Sequence, residues 1–357
     1  MNIGIDARLI EETGVGRYTR NLIAGLSRID KKNTYVIFLR KKSFDGFIPP
    51  NRRFKKVLAE VPWHSVSEQL VMPGICANEH LDLLHVPYHN PPVLYPGRIA
   101  VTIHDLTILH FATGKATTLP YPVYALKRFG YRIILSMAIR RASPVIAVSE
   151  TTKQEILDHF SVNPANIAVT YEGCSVIAGD KRLISEPYFL YVGNAYPHKN
   201  VETLLTAFDK VSAGHTLVLV GKDDYFYRRL RSMVRNPKVR FFGDADDQTL
   251  GNLYTYATAA VFPSFMEGFG LPAVEALASG CPVMVSDIPI FHEILTNQAT
   301  YFDPRSADEV SATLTEAAKK GRGTTANESE RKRYAARFSW DKMAKETLGV
   351  YERRARV

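Results

Sequence analysis

Cysteine is scarce in this chain, with only Cys76, Cys174 and Cys281 among 357 residues. None stands in a paired spacing, so neither a zinc site nor a disulfide framework is written into it, and a reducing, cytoplasmic setting is expected. Long apolar runs are also missing. The stretch IILSMAI at 133–139 falls far short of the roughly 18 residues of a membrane span. The opening MNIGIDARLIEE places Asp6, Arg8, Glu11 and Glu12 where a signal peptide needs an apolar core. No zinc-finger spacing, basic zipper or aromatic RNA-binding motif occurs, which argues against nucleic acid as a partner. No GxGxxG closes an opening strand, which argues against a nicotinamide dehydrogenase.

What is present is the composition of a soluble protein with real cores, 46% apolar and 23% charged. At roughly 100–200 residues per domain, the length suits two domains better than one. The formal charge of +9 is uneven: residues 1–185 carry 23 basic and 15 acidic side chains, and residues 186–357 carry 22 and 21. A basic first half points to an anionic surface or ligand there.

Short β-branched runs alternate with amphipathic helical patterns in both halves. The expected strands are NIGIDA, TYVIFL, LLHV, AVTIHD, PVIAVS and NIAVTY, then YFLYVG, TLVLVG, VRFFG, AAVFPS, PVMVS and TYFD. Such alternation predicts parallel sheets with helices on both faces. The expected division is a first Rossmann-like domain over 1–174, a linker over 175–187 and a second over 188–338. A terminal helix over 339–357 is expected to pack back on the first domain. GRGTTANESE, just before it, reads as polar and poor in helix. The architecture expected is α/β, two doubly wound domains facing a cleft, with chemistry beyond the carboxyl ends of the strands.

The most informative stretch is PSFMEGFGLPAVEALASGCPV at 263–283. It follows an apolar strand, and Gly268 and Gly270 supply backbone freedom before a helix opened by Leu271-Pro272 and closed by Gly280. A glycine loop feeding a helix N-terminus favours an anion. Two acids there, Glu267 and Glu275, would repel one unless they accept hydrogen bonds from hydroxyls while amides and a cation hold phosphate. A nucleotide sugar has both features.

Glu267 and Glu275, eight apart, resemble the EX7E motif of retaining GT-B glycosyltransferases, in particular the GT4 family. TGVGRY at 13–18, TIHDL at 102–106, YVGNAYPHKN at 191–200, LVLVGKDD at 217–224, VRFFG at 239–243 and FSWDKMA near the end fit the same family in the same order. The resemblance implies a GT-B fold and a retaining hexosyl transfer from a nucleotide sugar to a saccharide or lipid-linked saccharide in cell-surface polysaccharide or glycolipid assembly. TIHDL is most similar to mannosyltransferases, so GDP-mannose is the favoured donor, with a UDP-hexose as the alternative.

Carried over residue by residue, the resemblance gives catalytic parts to Glu267, near the reacting face of the sugar, and to His104. It gives ribose hydroxyls to Glu275 and the leaving diphosphate to Lys199. Gly14, Gly16 and Arg17 would approach the phosphates from a loop; Gly193, Asn194, Gly268, Phe269, Gly270 and Leu271 would line the donor; Phe242 and Gly243 would meet the base. Asn194 and His198 stand where family members often carry Arg. The acceptor is expected near Pro62–Met72 and Tyr88–Pro96. Asp244 and Asp246 read as a turn and helix cap rather than a metal site, so no essential metal and no cofactor is expected. KRFGYRIILSMAIRRAS at 127–143, with Lys31, Lys32, Arg40, Lys41 and Lys42, forms a basic set suited to the cytoplasmic face of an anionic membrane. A buried helix with basic ends accounts for it equally well. Two rivals are a GT-B-like epimerase and a non-catalytic nucleotide-sugar-binding scaffold.

Overall fold

A computed structural model describes residues 1–110, 121–175, 179–211 and 214–355, with the side chains of 121–124, 354 and 355 outside the description. Two compact units emerge. Among the described residues, the first comprises 1–109, 121–173 and 340–355; the second comprises 110, 174–175, 179–211 and 214–339.

The first unit is built on a seven-stranded sheet: β1 (Asn2–Asp6), β2 (Thr34–Leu39), β3 (Phe54–Leu58), β4 (Leu83–Val86), β5 (Ile99–Ile103), β6 (Val145–Ala147) and β7 (Ile167–Val169). Its order is β3-β2-β1-β4-β5-β6-β7, all pairs parallel. Central strands carry apolar residues on both faces because helices cover both, and Ile3, Ile5, Val36, Leu84, Val101 and Ile146 are fully or almost fully buried. Strand β3 was not expected from the sequence. FKKVL places Lys55 and Lys56 mid-strand, which only an edge strand accommodates, and Lys56 donates Nζ–H bonds to the Phe44 and Phe47 carbonyls. The helix Trp340–Ala355 belongs to this unit, with the Tyr351 hydroxyl 2.5 Å from His85 Nδ1 in its interior.

The second unit holds β8 (Tyr188–Val192), β9 (Thr216–Val220), β10 (Val239–Gly243), β11 (Ala259–Phe262), β12 (Val283–Ser286) and β13 (Ala299–Phe302). Their order is β10-β9-β8-β11-β12-β13, again wholly parallel. Of the segment expected as a linker, 176–178 lie outside the described residues. The piece after them is tied down: Gly179 N–H donates to Thr255 Oγ1, and the Asp180 and Lys181 N–H groups donate to Asn252 Oδ1.

GRGTTANESE does not stay irregular. A helix runs over Thr325–Ala335, started by Thr324 and Asn327 in a reciprocal capping box. Its Arg331 donates to the Gly280 carbonyl, while Arg322 just before it donates to the carbonyls of Tyr254 and Ala257. The polar face that made this stretch read as helix-poor is used to satisfy the carbonyls of neighbouring elements. Those carbonyls include the end of helix Leu271–Ala278, which closes in a Schellman motif: Cys281 N–H to the Ala276 carbonyl and Gly280 N–H to the Leu277 carbonyl, both 2.8 Å. Gly280 has φ +73°, and a Cβ there would run into the Glu328 side chain.

Replacing Gly280 with Ala should therefore destabilise the second unit by roughly 1–2 kcal/mol, from left-handed strain plus displacement of Glu328. Urea unfolding followed by fluorescence should show a lower midpoint, and an unchanged midpoint would mean the motif contributes nothing.

Candidate functional site

In each sheet the strand order reverses between two neighbours, β1 and β4 in the first unit and β8 and β11 in the second. Loops leaving such a pair turn to opposite faces and open a crevice at the carboxyl ends. In the second unit those loops are 193–200 and 263–270, which carry most of the donor residues expected from the sequence.

Three contacts lock the two loops together. Lys199 Nζ lies 2.7 Å from Glu267 Oε2, Phe265 N–H donates to the His198 carbonyl at 2.8 Å, and Asn200 Nδ2–H donates to the Pro263 carbonyl at 3.0 Å. The Lys199 and Glu267 side chains are 19% and 12% exposed, so the ion pair is mostly shielded from water yet still reachable. Ser264 Oγ–H donates to the other Glu267 oxygen at 2.7 Å, which fixes the carboxylate plane. Asn200 was not singled out in the sequence. It is buried, sits in the left-handed region at φ +57°, and also donates to the Pro304 carbonyl at 2.8 Å. Asn tolerates that conformation better than most residues.

Gly270 caps helix Leu271–Ala278 at φ +82°, so the freedom expected at this loop is used there. Leu271 opens the helix and Glu275 sits one turn in, buried. The Phe269 ring is buried and packs edge to face on Phe338 with centroids 5.5 Å apart. Gly268 lies in the bend before it. On the other side of β8, Gly193 N–H donates to the Val220 carbonyl and Gly221 N–H to the Gly243 carbonyl. The Tyr227 hydroxyl bridges the carbonyls of Gly193 and Val220, a link the sequence did not announce. A register shift between Phe241 and Gly243 leaves Phe242 out of the ladder and 39% exposed. The Asn194 carbonyl takes the Tyr191 hydroxyl at 2.5 Å. Asp246 caps the helix Asp247–Tyr256 by accepting from Thr249 N–H.

In the first unit, Gly14, Gly16 and Arg17 do not form a loop; they are the first turn of helix Gly14–Ile29. Gly16 is required by close approach, since a Cβ would meet the Ile10 carbonyl at 2.5 Å, whereas the space above Gly14 is open. His104 follows β5. Its Nδ1 lies 2.8 Å from Glu172 Oε1 and its Nε2 3.2 Å from the Pro87 carbonyl. Glu172, buried and absent from the sequence-based set, comes from the segment after β7.

The two expected acceptor segments do meet. Gln69 exchanges hydrogen bonds with the Pro91 carbonyl and Val93 N–H, while Glu68 accepts from His64 N–H, from Asn90 Nδ2–H and from the buried Arg8. Arg8 also pairs with Asp6 at the end of β1. Burial pushes the Glu68 carboxyl up to about 7, but His64, Asn90 and Arg8 all donate to its oxygens, which is the pattern of an ionised carboxylate. His64 stacks on Tyr131 with ring planes 3° apart.

Sequence profiles match both halves: Glycosyltransferase Family 4 over residues 13–176 and Glycosyl transferases group 1 over residues 180–337. The O-antigen chain mannosyltransferase RfbU of Salmonella typhimurium is 32% identical over 252 residues, covering 69% of this chain and 68% of that protein. The chain belongs to glycosyltransferase family 4. O-antigen chain mannosyltransferase B of Escherichia coli aligns with this family member over 376 residues at 26% identity, covering 95% and 96% of the two chains. Among solved structures, sucrose-phosphate synthase of Thermosynechococcus elongatus superposes with a TM-score of 0.80 at 19% identity, covering 99% and 98%. Anabaena HepE in complex with UDP and glucose gives 0.76 at 15%, covering 99% of each. These likenesses make the fold of this glycosyltransferase GT-B, with two Rossmann-like units.

Replacing Asn200 with Ala leaves the Pro263 and Pro304 carbonyls without this donor, at a cost on the order of 1–3 kcal/mol. Chemical denaturation should show a second unit weakened by that amount. Retention of full stability would mean that Lys199–Glu267 and Phe265–His198 suffice to hold the loops.

Proposed function

We propose that this glycosyltransferase is a retaining hexosyltransferase that moves mannose from GDP-mannose to a saccharide or lipid-linked saccharide acceptor during surface polysaccharide assembly. The observation that carries it is the Lys199–Glu267 pair, fixed at the β8/β11 reversal beside a helix N-terminus in a family 4 chain. Lys199 has three N–H bonds and spends one on Glu267, so two are left for a diphosphate, whose departure they favour by compensating its charge. Glu267 faces the sugar, Glu275 the ribose hydroxyls, and the amides of Gly268, Gly270 and Leu271 the phosphates. Phe242 and Gly243 meet the base.

The acceptor hydroxyl oxygen forms its bond to the anomeric carbon as the bond from that carbon to the diphosphate breaks. The acceptor proton passes to the departing phosphate oxygen on the same face, which retains configuration. No essential metal is required, because Lys199 and the helix amides carry the charge compensation. Mannose is favoured because RfbU and the Escherichia coli relative are named as mannosyltransferases. A UDP-hexose donor is the second reading, supported by HepE structures that hold UDP-glucose or UDP and glucose.

We also propose peripheral binding to the cytoplasmic face of an anionic membrane. On helix Tyr121–Arg141, Leu126, Phe129, Ile133 and Met137 repeat every three or four residues and are exposed, Leu126 by 73% and Phe129 by 63%. Exposed Lys127, Arg132 and Arg140 flank that stripe, while Tyr131, Leu135 and Ile139 on the other face enter the core. Arg40 contributes less to the basic set because Glu60 pairs with it at 2.8 Å.

Turnover of GDP-mannose with a lipid-linked saccharide should fall on the order of 100–1,000-fold in Lys199→Ala and in Glu267→Gln, and Glu275→Ala should weaken nucleotide binding. Faster turnover of UDP-hexoses would reassign the donor, and binding without turnover of any donor would leave a scaffold protein. In vesicle sedimentation, Leu126→Asp with Phe129→Asp should lower binding to phosphatidylglycerol vesicles about tenfold or more. Equal binding to neutral vesicles would remove the electrostatic part of the proposal.

A further inference from the structure

His104 differs from the other buried histidines of the first unit in what its two nitrogens face. His85 meets hydroxyls, Thr102 Oγ1 at Nε2 and Tyr351 at Nδ1, and a hydroxyl can donate or accept, so a neutral ring satisfies both. Both of His104's partners, the Glu172 carboxylate and the Pro87 carbonyl, are acceptors only. A ring between two acceptors bonds to both only when each nitrogen carries a proton.

We propose that Glu172 is a positioning residue that keeps His104 doubly protonated at the end of β5, so that His104 serves the transfer as a fixed hydrogen-bond donor and not as a base. The substrate-facing bond is the longer one: Nε2–H, now 3.2 Å from the Pro87 carbonyl, is released to a substrate oxygen, while the 2.8 Å bond to Glu172 holds the ring. This role rests on the glycosyl-transfer function proposed above.

The surroundings agree with that charge. Burial, helped by neighbouring positive charge, drives His85 down to about 3 and His64 to about 4, and it drives His89 well below the ordinary value, which favours the neutral form of these rings. His104 meets the same opposing burial, yet it is raised above the ordinary value by the hydrogen bond and charge of Glu172, then by the Pro87 carbonyl and Asp105. The groups facing the ring are Glu172, Asp105, His85, His89 and the Tyr18 ring, which stands at 89° to it. The ion pair adds stability that is fully present below about pH 6.5 and is lost as the pH rises through the raised value.

The decisive measurement is nitrogen NMR of the histidine rings in the full-length protein, with His104 assigned by its loss in His104→Gln. The wild-type ring should be imidazolium at pH 7. Glu172→Gln, which keeps an acceptor but removes the charge, should titrate about one pH unit lower or more. In turnover assays the wild-type kcat should fall as pH rises through the His104 value. That limb should move down by the same interval in Glu172→Gln and return in Glu172→Asp. A neutral wild-type ring at pH 7, or a Glu172→Gln ring titrating like wild type, overturns the proposal. A shifted ring with an unmoved pH limb overturns its part in the reaction. Absence of any sugar transfer by wild type would instead strike the proposed function, since the ring titration is read without substrate. If Glu172→Gln does not fold, the wild-type titration and Glu172→Asp still decide.

Discussion

A wholly parallel sheet buries both its faces, and that constraint governs everything else in this molecule. Helices occupy the faces, so the strands read as nearly continuous apolar runs and leave the ends of the sheet for polar chemistry. At the reversal of strand order the connecting loops part, and the carboxyl ends of two strands become accessible together. Both units obey this rule. Gly193–Asn200 and Pro263–Gly270 meet at β8 and β11, and the segments after β1, β4 and β5 bring Asp6, Arg8, Pro87 and His104 to one end of the other sheet.

Charges placed at such ends are partly desolvated, and each is held by an opposite charge or by directed donors. Lys199 is paired with Glu267, His104 with Glu172, and Arg8 with Asp6 and Glu68. Removing one member of a shielded pair strands the other in a medium that cannot solvate it, so the pairs act as units. Ser264 and Asn200 extend this to the loop backbone by fixing the carboxylate plane and tying down the carbonyls around it. The result is a site whose polar atoms are oriented before any ligand arrives, the condition for stabilising charge as it develops on a leaving group.

Legibility in the sequence followed the range of the interactions involved. Twelve of the strands were visible because each carries a local run of apolar residues. The thirteenth, β3, was hidden by Lys55 and Lys56, which only its edge position makes acceptable. The helix Thr325–Ala335 was hidden because its polar residues serve carbonyls distant in sequence. Gly14, Gly16 and Arg17 were seen, but as a loop rather than a helix start, since a glycine pair does not announce whether it serves a turn or a close contact with Ile10. The packing of the Phe269 ring on Phe338 was hidden as well, because the two residues lie far apart in the chain.

By itself the sequence determined the fold class, the family and the joining of a glycine loop bearing Glu267 to a helix bearing Glu275, because spacing along one chain carries all three. Tertiary structure alone decided which charges meet. Lys199 and Glu267 are 68 residues apart in the chain, as are His104 and Glu172, and each pair is joined by a single contact of 2.7–2.8 Å. No local pattern encodes such a contact, because a partner's identity depends on strand order and register, which arise only when the whole sheet forms.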